Sequence, residues 1–315
     1  MPDKLMRMSR NLPTQGYRRP TMLGIAGDSA SGKTTLTKGL VAALGESRST
    51  AVCADDYHRY DRVERKEMPF TPLHPDCNYI EVMEQHLQLL ATGQSILKPV
   101  YDHTNGSLVR PVLVEPMDYV IVEGLLPLHT KLAQACFDTT VYLGPPEEIR
   151  REWKVLRDTT KRGYEEQQVL DELDRREPES AAYIRPQKSC SDIVMSFGPI
   201  EGRIEEPGTP LSVTILLRPT IRHPNFAEIL TDLPTRAMHL KLMRDENGRP
   251  VDALHIHGYA TVEESSLVAK AIWDDLGIDR QMPESLGMIE NTRNEPLRLA
   301  QLILFYHMIQ DRQGT

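Results

Sequence analysis

Apolar positions along the chain follow two different spacings. Short runs with little or no polar interruption occur at residues 22–26, 50–54, 119–122, 141–143 and 192–197. Such runs predict strands, and the near-continuous run at 119–122 predicts a central parallel strand buried on both faces. Elsewhere the apolar residues recur every three or four positions, as in Leu36, Leu40 and Leu44, or Ile80, Met83, Leu87 and Leu90. That spacing predicts amphipathic helices alternating with the strands, the order of an α/β fold. Gly45 is a plausible stop for the first helix and Gly93 for the second, and Asn78 with Glu81 predicts an N-terminal cap for the second. Asn105-Gly106 between short apolar runs predicts a hairpin, with Tyr101 and His103 on one face of its incoming strand.

The pattern changes beyond residue 198. Glycines and prolines cluster up to Pro210 as a boundary. Strand-like runs follow at 212–217, 238–243 and 254–257, then helical spacing at 262–276 and 295–309. His255 and His257 face one side of their strand; with no third ligand nearby in sequence they read as packing or interface residues. The expected organisation is a basic lead-in over 1–20, a core over 21–200, and a smaller C-terminal α+β part over 205–315 that extends the sheet or serves dimerisation. Repeats and low-complexity tracts are absent from the sequence.

Candidate chemistry begins where the first strand ends. Gly27-Asp28-Ser29-Ala30-Ser31-Gly32-Lys33-Thr34, with Thr35 opening the helical pattern, is a glycine loop between a strand and a helix. This is the context a phosphate-binding loop requires. Backbone N–H groups and the helix N-terminus would cradle phosphate, Lys33 would reach the β- and γ-phosphates, and the Thr34 hydroxyl would ligate Mg²⁺. The implied ligands are a nucleoside triphosphate, ATP or GTP, and Mg²⁺. Asp55-Asp56-Tyr57-His58 and the following Arg59, Asp61, Arg62, Arg65 and Lys66 fall at the end of the second strand, where ligands sit in open α/β sheets. They read either as a site or as a solvated turn. Glu123, ending the 119–122 run, is the expected ligand of Mg²⁺ and its water or an electrostatic partner. Pro145 and Pro146 open a basic helix that carries Arg150, Lys154, Arg157, Asp158 and Arg162 before Gly163. Such a helix is either a solvated surface or a lid, over 147–163, closing on a transferred phosphoryl group. A further charged helix over 165–176 is expected to be exposed.

Overall charge narrows the partners. A formal net charge of −8 argues against a dedicated nucleic-acid binder, and no apolar run approaches the roughly 20 residues a membrane span needs. The first twenty residues have no apolar core of a secretory leader. Four cysteines with no C-x-x-C pair predict free thiols in a reducing cytoplasm.

Taken together, Gly27 to Thr34, Cys53-Ala54-Asp55-Asp56-Tyr57-His58, Asp61-Arg62, Lys98-Pro99-Val100-Tyr101-Asp102-His103, Val122-Glu123-Gly124-Leu125 and Trp153-Lys154-Val155-Leu156-Arg157-Asp158 resemble the phosphoribulokinases, most of all the plant and cyanobacterial type. Uridine kinases share the loop, a DD-aromatic element and the lid. The resemblance covers about residues 21–197 and implies a P-loop kinase core with a mostly parallel sheet and flanking helices. It implies Asp55 as general base toward the C1 hydroxyl of ribulose 5-phosphate, and Asp56 helping to place the metal. His58, Arg62, Tyr101 and His103 would hold the sugar phosphate. Lys154 and Arg157 would stabilise the transferring phosphoryl group, Asp158 would lie near the reacting end, and Arg162 would serve the lid. A homodimer is implied too, with the apolar face of the 254–257 strand or another sheet edge as the candidate interface. The cysteine that photosynthetic relatives carry in the loop is Ser31 here, so the resemblance implies no loop disulfide to Cys53. A uridine-type nucleoside kinase and a silent nucleotide-binding regulator remain as alternatives.

Overall fold

In chain order the first elements are β1 (Thr21–Ala26), α1 (Lys33–Leu44), β2 (Ser49–Cys53), α2 (Ile80–Ala91), β3 (Ile96–Asp102), β4 (Ser107–Val114) and β5 (Tyr119–Gly124). A short α3 (Lys131–Gln134), β6 (Thr139–Leu143), α4 (Glu147–Arg162), α5 (Glu166–Glu179) and β7 (Ile193–Phe197) follow. The chain ends with β8 (Val213–Leu217), a short α6 (Phe226–Ile229), β9 (Met238–Arg244), β10 (Pro250–Ile256), α7 (Val262–Leu276) and α8 (Glu295–Gly314). This computed structural model describes residues 18–200, 208–231 and 233–314. Residues 1–17 of the expected lead-in and 201–207 of the expected boundary lie outside the described residues.

One eight-stranded sheet runs through the molecule in the order β2-β5-β1-β6-β7-β8-β10-β9. The first five strands are parallel; β8, β10 and β9 add to β7 in antiparallel fashion. All six residues of β1 are buried, because it lies between β5 and β6. The chain leaves β1 in one direction for β2 and returns through β5 to β6 on the other side. The loop after β1 therefore sits at a topological switch point, beyond the carboxyl ends of the strands.

Two hydrophobic layers enclose the sheet. α1, α7 and α8 pack on one face, and α2, α3 and the turn around Ile184 on the other. α8 is buried on all sides: Leu299, Ala300, Leu302, Ile303, Leu304, Phe305 and Met308 have no exposed surface. Its Gln301 amide donates to the Thr35 carbonyl at 3.3 Å, tying α8 to the first turn of α1. Residues after 208 thus share the core of the α/β layer through both the sheet and α8.

Several expectations shift in detail. The asparagine-glycine turn closes a four-residue loop, since Asp102 pairs with Ser107 and the Gly106 N–H donates to the Asp102 carbonyl at 2.7 Å. β10 begins four residues earlier than expected, at Pro250, where proline is tolerated as a first strand residue. Leu254 and Ile256 are core residues of this chain, which corrects the expectation that this face is free for a second copy. His255 and His257, on the other face, stack with His239 of β9 at ring separations of 4.8 and 4.9 Å. α5 is not exposed all round, because Val169 and Leu173 are buried.

Candidate active site

The loop between β1 and α1 passes so close to β6 that a Cβ at Gly27 would overlap the Leu143 carbonyl oxygen. This packing explains glycine at that position. Lys33 Nζ donates to the carbonyls of Gly27 and Asp28, both at 2.8 Å. Asp28 turns away from the chamber in front of the loop. Its buried carboxylate accepts from Ser180 and faces Arg150 at 3.9 Å, while Arg150 also donates to the Ser29 carbonyl at 3.2 Å. The Asp28 side chain therefore anchors the loop from behind, and Arg150 of α4 is a loop brace rather than a free cation. The side of the loop from Ser29 to Thr35 lines the chamber, with Ala30, Ser31 and Gly32 between them. Ser31 Oγ is buried without a hydrogen-bond partner among the described residues.

Strand ends supply the carboxylates. Glu123, at the end of β5, accepts from the Thr34 hydroxyl at 3.1 Å. Burial pushes its carboxyl pKa up, against the pull of Lys33. Asp55 follows β2 on a 3₁₀ turn, and its Oδ1 accepts from the Leu125 N–H at 2.8 Å. A Cβ at Gly124 would come within 2.9 Å of that oxygen, so the approach of β5 to Asp55 requires glycine. Asp56 takes another course. It is paired with Lys98 and accepts from the Tyr101 N–H at 3.1 Å, so it clamps the β3–β4 hairpin onto the end of β2. Its expected role in placing a metal is corrected on that ground. Cys53, Asp56 and His103 bring donor atoms within 4.8 Å of one another, but Lys98 already occupies Asp56 and burial raises the Cys53 thiol pKa. Hard-cation chemistry instead suits the oxygen pair of Thr34 and Glu123.

The hairpin brings Tyr101 and His103 together, ring centroids 5.0 Å apart, beside His58. His58 is buried and donates from Nδ1 to Asn78 Oδ1 at 2.7 Å. Burial lowers its pKa to about 4, against the attraction of Asp55. Arg62 donates to the His103 carbonyl at 2.7 Å and so joins the hairpin tip. Two residues here were not among the site residues expected from the sequence. Arg65 stacks over the Tyr101 ring at 4.8 Å and donates to its hydroxyl, while its Nη1 is buried with no partner among the described residues. Asn78 is not the cap of α2, whose N-cap is Tyr79; its side chain turns inward to hold His58. The dense basic cluster after Asp55 was a signal for Arg65. For Asn78 the local sequence pointed to the wrong role.

α4 closes the chamber from the other side. Asp158 is buried between Lys154 (2.8 Å), Arg157 (2.8 Å) and Arg162 (3.4 Å). Burial alone would raise its carboxyl pKa, but Arg157 and Lys154 hold it down to about 2. Both oxygens thus pair with these cations, and Asp158 lines the chamber together with the loop and Asp55. Lys154 is itself buried, and burial together with Arg176 lowers its pKa. Arg157 reaches the loop, donating to Ser29 Oγ at 3.3 Å.

A phosphate loop at the switch point of a parallel sheet, a strand-end carboxylate beside its threonine, and a cationic helix lining the chamber agree with the sequence comparison. The sequence model of the phosphoribulokinase / uridine kinase family matches residues 22–202. The chain belongs to this family. It is 40% identical over 181 residues to a phosphoribulokinase of Synechocystis, covering 58% of this chain and 54% of the relative. It is 32% identical over 185 residues to a uridine kinase of Staphylococcus haemolyticus, covering 56% of this chain and 88% of that one. Its matches to the phosphoribulokinases span about half of their length. Among solved structures, phosphoribulokinase from Rhodobacter spheroides aligns with a TM-score of 0.60 and 17% identity over 85% of this chain and 99% of its own, a likeness of fold.

Proposed function

We propose that this protein is an ATP-dependent kinase that phosphorylates the C1 hydroxyl of D-ribulose 5-phosphate, giving the 1,5-bisphosphate. The observation that carries this reading is the second cationic group in the chamber. Arg62 and Arg65 line it apart from the phosphate loop, and among the described residues Arg65 Nη1 is buried without a partner. A buried, unpaired guanidinium donor is costly unless an anion meets it. An acceptor with its own phosphate supplies that anion; a nucleoside does not. The greater likeness to phosphoribulokinases than to uridine kinases points the same way.

The residues present fit ATP and Mg²⁺. The loop offers the buried Ser31 hydroxyl and Lys33, and Thr34 with Glu123 offers oxygen ligands at the helix N-terminus. Bound Mg²⁺ would neutralise charge on the transferring phosphate. Lys33 would exchange its loop carbonyls for β- and γ-phosphate oxygens. Asp55, fixed through Oδ1, would take the C1 hydroxyl proton on Oδ2 as the sugar oxygen bonds to the γ-phosphorus and the bond to ADP breaks. Lys154, Arg157 and Arg162, ordered by Asp158, would neutralise the equatorial oxygens, and α4 would exclude water. Tyr101 would hold Arg65 toward the sugar phosphate, with Arg62 and His103 at the hairpin tip. A homodimer is part of the proposal, formed through the β9 edge, where Leu242 is 78% exposed.

The experiment is Arg65→Ala in steady-state kinetics. It should raise KM for ribulose 5-phosphate by roughly 10–100-fold, the worth of a charged hydrogen bond, and leave KM for ATP nearly unchanged. Equal changes in both would contradict a phosphate anchor.

A further inference from the structure

The side chain of Asn78 leaves His58 a single neutral tautomer. One end of the Asn78 amide lies 3.0 Å from the Pro72 carbonyl oxygen and 2.9 Å from that of His74. Carbonyl oxygens only accept, so this end is the donor Nδ2, and the end facing His58 is the acceptor Oδ1. His58 Nδ1, 2.7 Å from Oδ1, must then carry the ring proton. Nε2 is left as a lone pair. Among the described residues it takes no hydrogen bond, and His58 lines the chamber edge-on to Tyr101 and His103.

A lone pair cannot hold a phosphate. Above its second pKa, near 6, a phosphate monoester presents only acceptor oxygens, and two acceptors facing each other repel. A hydroxyl can donate. The proton of the C1 hydroxyl goes to Asp55 in the reaction, which leaves the secondary hydroxyls of the sugar. Resting on the proposed substrate, we infer that His58 recognises the acceptor by accepting a hydrogen bond at Nε2 from its C3 or C4 hydroxyl. The phosphate is left to Arg62 and Arg65. The division of labour makes His58 a specificity residue. A hydroxylated acceptor pairs the ring, and a deoxy analogue covers Nε2 without pairing it, which sites of this kind penalise strongly.

The direct test is long-range ¹H–¹⁵N correlation of the full chain labelled in its histidine rings, with His58 assigned by its loss in His58→Gln. The expected spectrum shows the Nδ1–H tautomer in the free protein and with ribulose 5-phosphate. Adding the sugar phosphate should move Nε2 upfield, as accepting a hydrogen bond does, and inorganic phosphate alone should leave it in place. An Nε2–H tautomer, an imidazolium, or an equal response to inorganic phosphate would overturn the inference. A kinetic arm uses 3-deoxy- and 4-deoxyribulose 5-phosphate. One of them should lose about tenfold or more in kcat/KM with the native enzyme, a loss that shrinks to near unity in His58→Ala. Penalties that persist unchanged in the variant would overturn the inference as well. If ribulose 5-phosphate does not react at all, the substrate reading fails by itself, and the tautomer of the free protein still decides whether Nε2 is an acceptor.

Discussion

Asp55 is held by one oxygen and Asp56 by two, and that difference separates neighbouring carboxylates. Asp55 Oδ1 is fixed by the Leu125 N–H, so its other oxygen is aimed without being consumed. Asp56 spends both oxygens on Lys98 and the Tyr101 N–H. Asp55→Asn should therefore lower kcat by roughly 10²–10⁴, the contribution of a general base, with ATP binding retained in a direct titration. Asp56→Asn should act instead through the hairpin, raising KM for the sugar phosphate more than it lowers kcat. Near-normal turnover in Asp55→Asn would remove it from the chemistry. At this scale the sequence was informative wherever a polar residue ended an apolar run, as for Asp55 and Glu123, because strand ends are where an α/β sheet exposes side chains. It was silent where a side chain turns inward to serve another. Asn78 has the identity and spacing of a helix cap, and only the tertiary fold brings it against His58.

The cationic wall of the chamber depends on two helices packed together rather than on one. α4 carries Lys154, Arg157 and Arg162 around Asp158, and α5 contributes Glu172 at 3.9 Å from Lys154. The basic face of α4 was legible from spacing and its start from Pro146, but its hub was not: a single Asp among six basic residues reads as a break in the pattern. Asp158→Asn should scatter the cations and cost roughly 10²–10³ in kcat, the range for losing preorganised charge stabilisation, with little change in KM for ribulose 5-phosphate. Its carboxyl titrates near 2, below the 3.8 of a free aspartate. The stability it contributes is thus fully present above pH 4 and lost as pH falls through 2. Thermal melts should show native protein losing more Tm than Asp158→Asn across that interval. Parallel curves would contradict the hub.

At the scale of the whole molecule, one sheet links the phosphate loop to the strands added after residue 208. The alternation of strands and helices up to β7 was readable from period alone. α8 was not readable as a central helix, since its spacing gives a helix but not that α1, α7 and the sheet enclose it on all sides. Among the described residues, β9 ends the sheet with one side unpaired by another strand. If two copies meet there, Leu242→Lys should convert a dimer to a monomer in light scattering at micromolar concentration, without loss of helical signal. A native monomer would exclude that assembly. The central claim is the acceptor, and a coupled assay of ADP release tests it most directly. With ATP and Mg²⁺, ribulose 5-phosphate should support turnover with a kcat/KM far above that of uridine or cytidine. Faster turnover of either nucleoside would contradict the account.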